Sequence, residues 1–150
     1  MLKPYQKKII ELMIRQESLL SKLYPLFAEQ FPEHGEVWDE LAREEKKHAN
    51  WLKQLYDAGE KGIILFDEGK TKTQTMNTYI EYLMGIIAKA ENHELTLSQA
   101  IACTMDLEKS LIEKNAFTHF DSISEQARSV LKRLKQETES HFKRIQALKS

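Results

Sequence analysis

The chain has 150 residues, 41% of them apolar and 30% charged, with a net charge of −1. That length suits one domain spanning 1–150 with a full hydrophobic core, and the charge balance selects neither nucleic acid nor anionic lipid as a partner. A single cysteine, Cys103, excludes an internal disulfide framework and a thiolate iron site, and the absence of a bilayer-length apolar run or a signal-like N-terminus makes a cytoplasmic, membrane-free location the expectation.

A first helix reads from about Pro4, a residue suited to a first turn, to about Gln30. Ile10, Met13, Glu17, Leu20, Tyr24, Phe27 and Phe31 alternate steps of three and four, the seam of a bundle helix. Glu17 is out of place on that seam. It is either an edge position or a functional one, because an unpaired buried carboxylate is expensive. Pro25 should kink or loosen the last turns.

Pro32 breaks the chain, and a second helix follows from about Glu33 to Tyr56. Its seam is Trp38, Leu41, Glu45, His48, Leu52 and Leu55, with a carboxylate and an imidazole one turn apart on one face. A neighbouring seam through Val37, Leu41, Glu44, His48, Trp51 and Leu55 is nearly as good. Glu44 and Glu45 are therefore both candidate ligands, with Glu45 preferred for its i, i+3 spacing to His48. Taken alone, such a pair is more often a solvated surface pair than a metal site.

Residues 58–74 hold three glycines and no helical period, so they read as a long connection. The apolar run Ile63–Phe66 is expected to pack on the bundle or on a partner subunit, which hints at a homodimer. A short amphipathic helix follows, with Met76, Ile80, Leu83 and Ile87 on one face. Such a connection suits a four-helix bundle with one long crossover. Thr96-Leu97-Ser98-Gln99 is a capping-box pattern that opens a third bundle helix, to about His119, with Ile101, Met105, Leu111, Ile112 and Glu108 on its face. Ser122-Ile123-Ser124-Glu125 reads as a second capping box, opening a fourth helix with the seam Ala127, Leu131, Leu134, Thr138, His141, Ile145 and Leu148. Glu137 lies one turn before His141. Cys103 reads as a core residue, His34 and His93 as solvated, and His119 as structural.

The two halves echo each other. Leu41-x-x-Glu-Glu-x-x-His48 answers Leu134-x-x-Glu-Thr-x-x-His141 at an offset of 93, and Glu17-Ser-Leu-Leu20 answers Glu108-Lys-Ser-Leu111 at an offset of 91. Each half is a helix with one seam carboxylate followed by a helix with a Glu/His pair. This is how carboxylate-bridged dinuclear sites of ferritin-like bundles are built, and it turns the balance toward metal binding. The fold class expected is all-α, a ferritin-like four-helix bundle whose crossover contains an extra short helix.

The segment Glu17-Ser-Leu-Leu-Ser-Lys-Leu-Tyr24-Pro-Leu-Phe27-Ala28 resembles the first helix of the rubrerythrin di-iron domain, and Glu45-Lys-Lys-His48-Ala49 resembles that family's second-helix motif. The resemblance extends over the chain as a bundle and is weaker in the last two helices. It implies two iron ions, with Glu17, Glu45 and His48 closing one and Glu108, Glu137 and His141 the other. Tyr24 would stand beside them as a hydrogen-bonding or radical-quenching neighbour, or as an ordinary core residue. Two departures stand out: Thr138 occupies the position three before His141, where the family carries Glu, and Leu111 replaces a further acid of the third helix. The cysteines of a rubredoxin domain have no counterpart in this sequence.

Carboxylate and imidazole donors suit iron, manganese and zinc alike. The function implied is a non-haem dinuclear metal protein that reduces peroxide or oxidises ferrous iron, drawing electrons from an external donor protein. Thr138 feeds the alternative: a bundle without competent metal chemistry that serves as a dimeric binding module.

Overall fold

In the computed structural model, which describes residues 4–61, 64–66, 73–113, 120–122 and 125–149, α1 (Pro4–Gln30) and α2 (Gly35–Glu60) are joined by one 3-10 turn at Pro32–His34. Pro32 is what forces the turn, since it cannot continue an α-helix. Phe27, Phe31 and Trp38 cluster around it, with ring centroids 5.4 Å apart for Phe27 and Trp38 and 6.0 Å apart for Phe31 and Trp38. Gly35 lets the two helix ends close up, because a Cβ there would stand 3.0 Å from the Ala28 carbonyl oxygen. α1 runs through Pro25 to Gln30.

The remaining helices are α3 (Thr73–Glu91), α4 (Leu97–Glu113) and α5 (Glu125–Gln146), the last followed by a 3-10 turn at Ala147–Lys149. The crossover helix expected to be short is α3, and at 19 residues it is longer than the 17-residue α4. It lies against α1 and buries Met76, Tyr79, Ile80, Leu83, Ile86, Ile87 and Ala90. The Tyr79 hydroxyl donates to the Leu107 carbonyl at 3.0 Å and ties α3 to α4. α3 closes on a left-handed residue, His93 (φ 56°), with Glu94 N–H on the Lys89 carbonyl and His93 N–H on the Ala90 carbonyl. That is a Schellman closure, normally given to glycine. The Thr96–Gln99 capping box forms as expected, with Gln99 N–H on Thr96 Oγ1 at 3.2 Å and Thr96 N–H on Gln99 Oε1 at 2.9 Å.

The second expected cap, Ser122–Glu125, includes residues 123 and 124, which lie outside the described residues. Ser122 ends a strand, β2 (Phe120–Ser122), which pairs antiparallel with β1 (Ile64–Phe66) in the register Ile64 to Ser122, and α5 begins at Glu125. Residues 64–66 of the apolar run thus form one strand of a two-stranded ladder that an all-helical reading lacks. β1 lies against α2 and β2 against α5. The expected continuation of the third bundle helix to His119 falls outside the described residues, as do the side chains of Ile112, Ala127 and Leu131. Among the described residues no helix is long and apolar enough to cross a membrane.

The core is divided. Ile9, Ile10, Leu12, Met13, Leu52, Leu55 and Leu134 form one apolar cluster, with Met76 and Ile80 of α3. Leu20, Leu23, Tyr24, Phe27, Trp38, Leu41, Leu107, Leu111 and Ile145 belong to the other. Along α1, α2 and α5 the residues between the two clusters are polar: Gln16 and Glu17, Glu45 and His48, Thr138 and His141. All six are buried, so a charged layer crosses the middle of the bundle.

The α4 cap gives the first test. Thr96→Ala removes an N-cap hydroxyl and should cost about 1 kcal/mol. In a chain of this size that lowers the thermal midpoint by about 2–4 °C, read by circular dichroism.

Candidate metal centre

Helical geometry builds the charged layer. Glu45 and His48 share one face of α2, Glu17 faces them from α1, Glu108 from α4 and His141 from α5, and each is at most 1% exposed. Their donor atoms gather into two groups, Glu17 with Glu45 and His48, and Glu45 with Glu108 and His141, each within 4.8 Å of one another. Glu45 belongs to both. The two imidazoles stack over it, with ring centroids 5.4 Å apart and planes 15° from parallel.

Both histidines turn Nδ1 inward. His48 Nδ1 is 3.5 Å from Glu17 Oε2 and 3.7 Å from Glu45 Oε1. His141 Nδ1 is 2.6 Å from Glu45 Oε1 and 3.4 Å from Glu108 Oε1. Close as these approaches are, Glu17 Oε2, both Glu45 oxygens, Glu108 Oε2 and both inward nitrogens make no hydrogen bond of acceptable geometry. The donors converge on common points rather than on each other. Buried polar atoms are rarely left in that state, and orphaned oxygen and imidazole donors on two shared points are the donor set of a divalent-metal pair. The residues fit such a pair.

The outer nitrogens face different acids. Glu137 Oε1 lies 3.0 Å from His48 Nε2, and Glu44 Oε2 lies 3.7 Å from His141 Nε2. Each acid meets an arginine of α5: Arg144 at 2.7 Å from Glu44, and Arg133 at 3.8 Å from Glu137. In the sequence reading, Glu137 is grouped with Glu108 and His141. It joins neither three-residue group and instead faces the far side of the other half's histidine. The repeat carried the signal, since Glu137 is 93 residues from Glu44 while the counterpart of Glu45 is Thr138. The ambiguity within α2 resolves the same way, with Glu45 inside and Glu44 outside.

Thr138 is buried at 2% exposure and spends its hydroxyl proton on the Leu134 carbonyl at 2.9 Å. Tyr24, fully buried, donates to Glu108 Oε1 at 2.6 Å. Burial, then the charges of Glu108 and Glu45, push its phenol well above the ordinary range, so it acts as a proton donor and not as a phenolate. Trp51 closes the layer outside His48, their ring centroids 5.5 Å apart, with Arg133 and Lys47 over the indole at 5.0 and 5.7 Å. Sequence reasoning put Trp51 on a seam without a role and passed over Arg133 and Arg144.

The electrostatics follow from packing three carboxylates around two imidazoles. Burial and then the charges of Glu17 and Glu108 hold the Glu45 carboxyl well above its usual range. Burial also raises Glu17, but the neighbouring Glu45 and His48 outweigh it and bring Glu17 below its ordinary value. Desolvation works against a charged His141, yet the surrounding carboxylates, Glu45 foremost, drive it up to about 12. His48 is raised too, Glu17 overcoming desolvation. Glu44, bonded to His141, falls to about 2.

Comparison with protein families matches residues 8–149 to the family described as Rubrerythrin. Comparison with curated proteins and with solved structures gave no match.

Two outcomes are expected at this centre. The raised His141 proton stabilises the metal-free fold fully below its ordinary value near 6.5, and that contribution fades as pH climbs toward about 12. Metals must displace this proton and that of Glu45, so metal affinity should fall as pH is lowered, and calorimetry in buffers of different ionisation enthalpy should record proton release. Replacing an outer acid, as in Glu137→Gln or Glu44→Gln, should weaken metal binding by about 10–100-fold without unfolding the chain, measured by chelator competition.

Proposed function

The chain belongs to the rubrerythrin family, and on that premise we propose that it is a non-haem dinuclear metal protein, with iron as its working metal and peroxide reduction or ferrous oxidation as its reaction. One observation carries the reading: two buried groups, each with an imidazole and two carboxylates, that share Glu45. Glu17 and His48 would hold one ion, Glu108 and His141 the other, and Glu45 both. When bound, two such ions supply two electrons to an O–O bond.

The chain's own residues then have distinct tasks. The two apolar clusters exclude water from the layer, which strengthens each charge interaction within it. Glu137, 3.0 Å from the outer nitrogen of His48, fixes the orientation of that ring, and Glu44 lies 3.7 Å from the outer nitrogen of His141. The Tyr24 hydroxyl holds a proton at Glu108 Oε1, where it orients that carboxylate and stands beside the reacting centre as a donor. Electrons would come from a donor outside these residues, as Cys103 alone builds no thiolate iron site.

Thr138 favours a second reading, in which the layer is balanced by protons on its histidines and the bundle is purely structural. Metal analysis separates the two. The expectation is about two ions per chain after loading with ferrous iron, with His48→Ala and His141→Ala each abolishing paired binding. A loading well below one ion per chain, or full retention by both variants, would overturn the proposal.

A further inference from the structure

Thr138 stands where the repeat places a second Glu45. It lies 93 residues from Glu45, one turn before His141 on the same buried face of α5. Its side chain is neutral and shorter than that of glutamate, and its only proton is given to the Leu134 carbonyl. Glu45 is therefore the one carboxylate common to both groups among the described residues.

Charge makes this a consequence and not a detail. The inner layer supplies the carboxylates of Glu17, Glu45 and Glu108. Set against two divalent cations, they leave one positive charge in a core walled by Leu20, Leu41 and Leu52. An uncompensated charge at such a place is expensive. The nearby acids have other partners in this structure: Glu137 lies 3.0 Å from the outer nitrogen of His48, and Glu44 lies 2.7 Å from Arg144.

Resting on the two-metal reading above, we propose that the loaded centre takes a small monocarboxylate of formate or acetate size as its second bridge, in the place a glutamate at 138 would reach. The anion brings the missing negative charge and a pair of oxygen donors with the geometry of a side-chain carboxylate. The position is thus a ligand site for a free carboxylic acid, created by the loss of the one on the chain.

The test uses the full chain loaded with cobalt(II), whose visible absorption reports its ligands. Formate is titrated at constant ionic strength, with chloride as the control anion. A saturable spectral change with formate and not with chloride is expected, together with cobalt retention against a chelator improved by about tenfold or more. Thr138→Glu should retain cobalt equally well with no formate present and should show no formate response. Two cobalt ions per chain with no formate-specific change would overturn the inference and leave the metal reading intact. A folded Thr138→Glu that responds to formate as the unaltered chain does would also overturn it. Fewer than two ions per chain at saturation, with and without formate, would sink the two-metal reading and this inference together. Should the variant fail to fold, the titration of the unaltered chain decides alone.

Discussion

Three carboxylates and two imidazoles buried in a plane across a helical bundle have to be balanced from within that plane. Glu45 is where the balance is struck. It approaches both histidines, accumulates the repulsion of Glu17 and Glu108, and is held between two apolar clusters that keep water away. A buried carboxylate left alone costs several kcal/mol, so each helix that supplies one must be held in register by its neighbours. The Phe27–Trp38 packing at the α1–α2 turn and the Tyr79 bond from α3 to α4 do that.

Around this plane the two halves of the chain exchange partners. Each histidine faces inward to carboxylates through Nδ1 and outward through Nε2 to an acid from the opposite half, Glu137 for His48 and Glu44 for His141. Arg133 and Arg144 carry the network from those acids to the surface of α5. The orientation of the His48 imidazole is thereby fixed on its outer side, which is how metal-binding histidines are usually held. The halves differ at Thr138, and that single difference gives the centre one internal bridge where the repeat would give two.

Much of the fold was legible in the chain. The seams of α1, α2, α4 and α5 are read from three-and-four spacing, which packing against a core enforces, and the Thr96 capping box is a local motif that needs no distant partner. α3 looked short because only one face was counted, whereas Tyr79, Ile86 and Ala90 extend its buried stripe along α1. The strand at Phe120–Ser122 was not legible, because local sequence cannot show the strand across from it. Pairing Ile64 with Ser122 brings together residues far apart in the chain.

For the centre, residue type and spacing determined that Glu17, Glu45, His48, Glu108 and His141 would face a common interior, since acids and imidazoles on an apolar seam have few other reasons to be there. Periodicity fixes a helix face to within a residue or so and stops there. It preferred Glu45 to Glu44 only through the i, i+3 spacing to His48 and did not place Glu137, because neighbouring residues on a helix differ by about 100° and only the opposing helices say which direction is inward. That choice belonged to the tertiary structure. Glu17 of α1, Glu108 of α4 and His141 of α5 converge on Glu45, while Glu44 and Glu137 meet the arginines of α5.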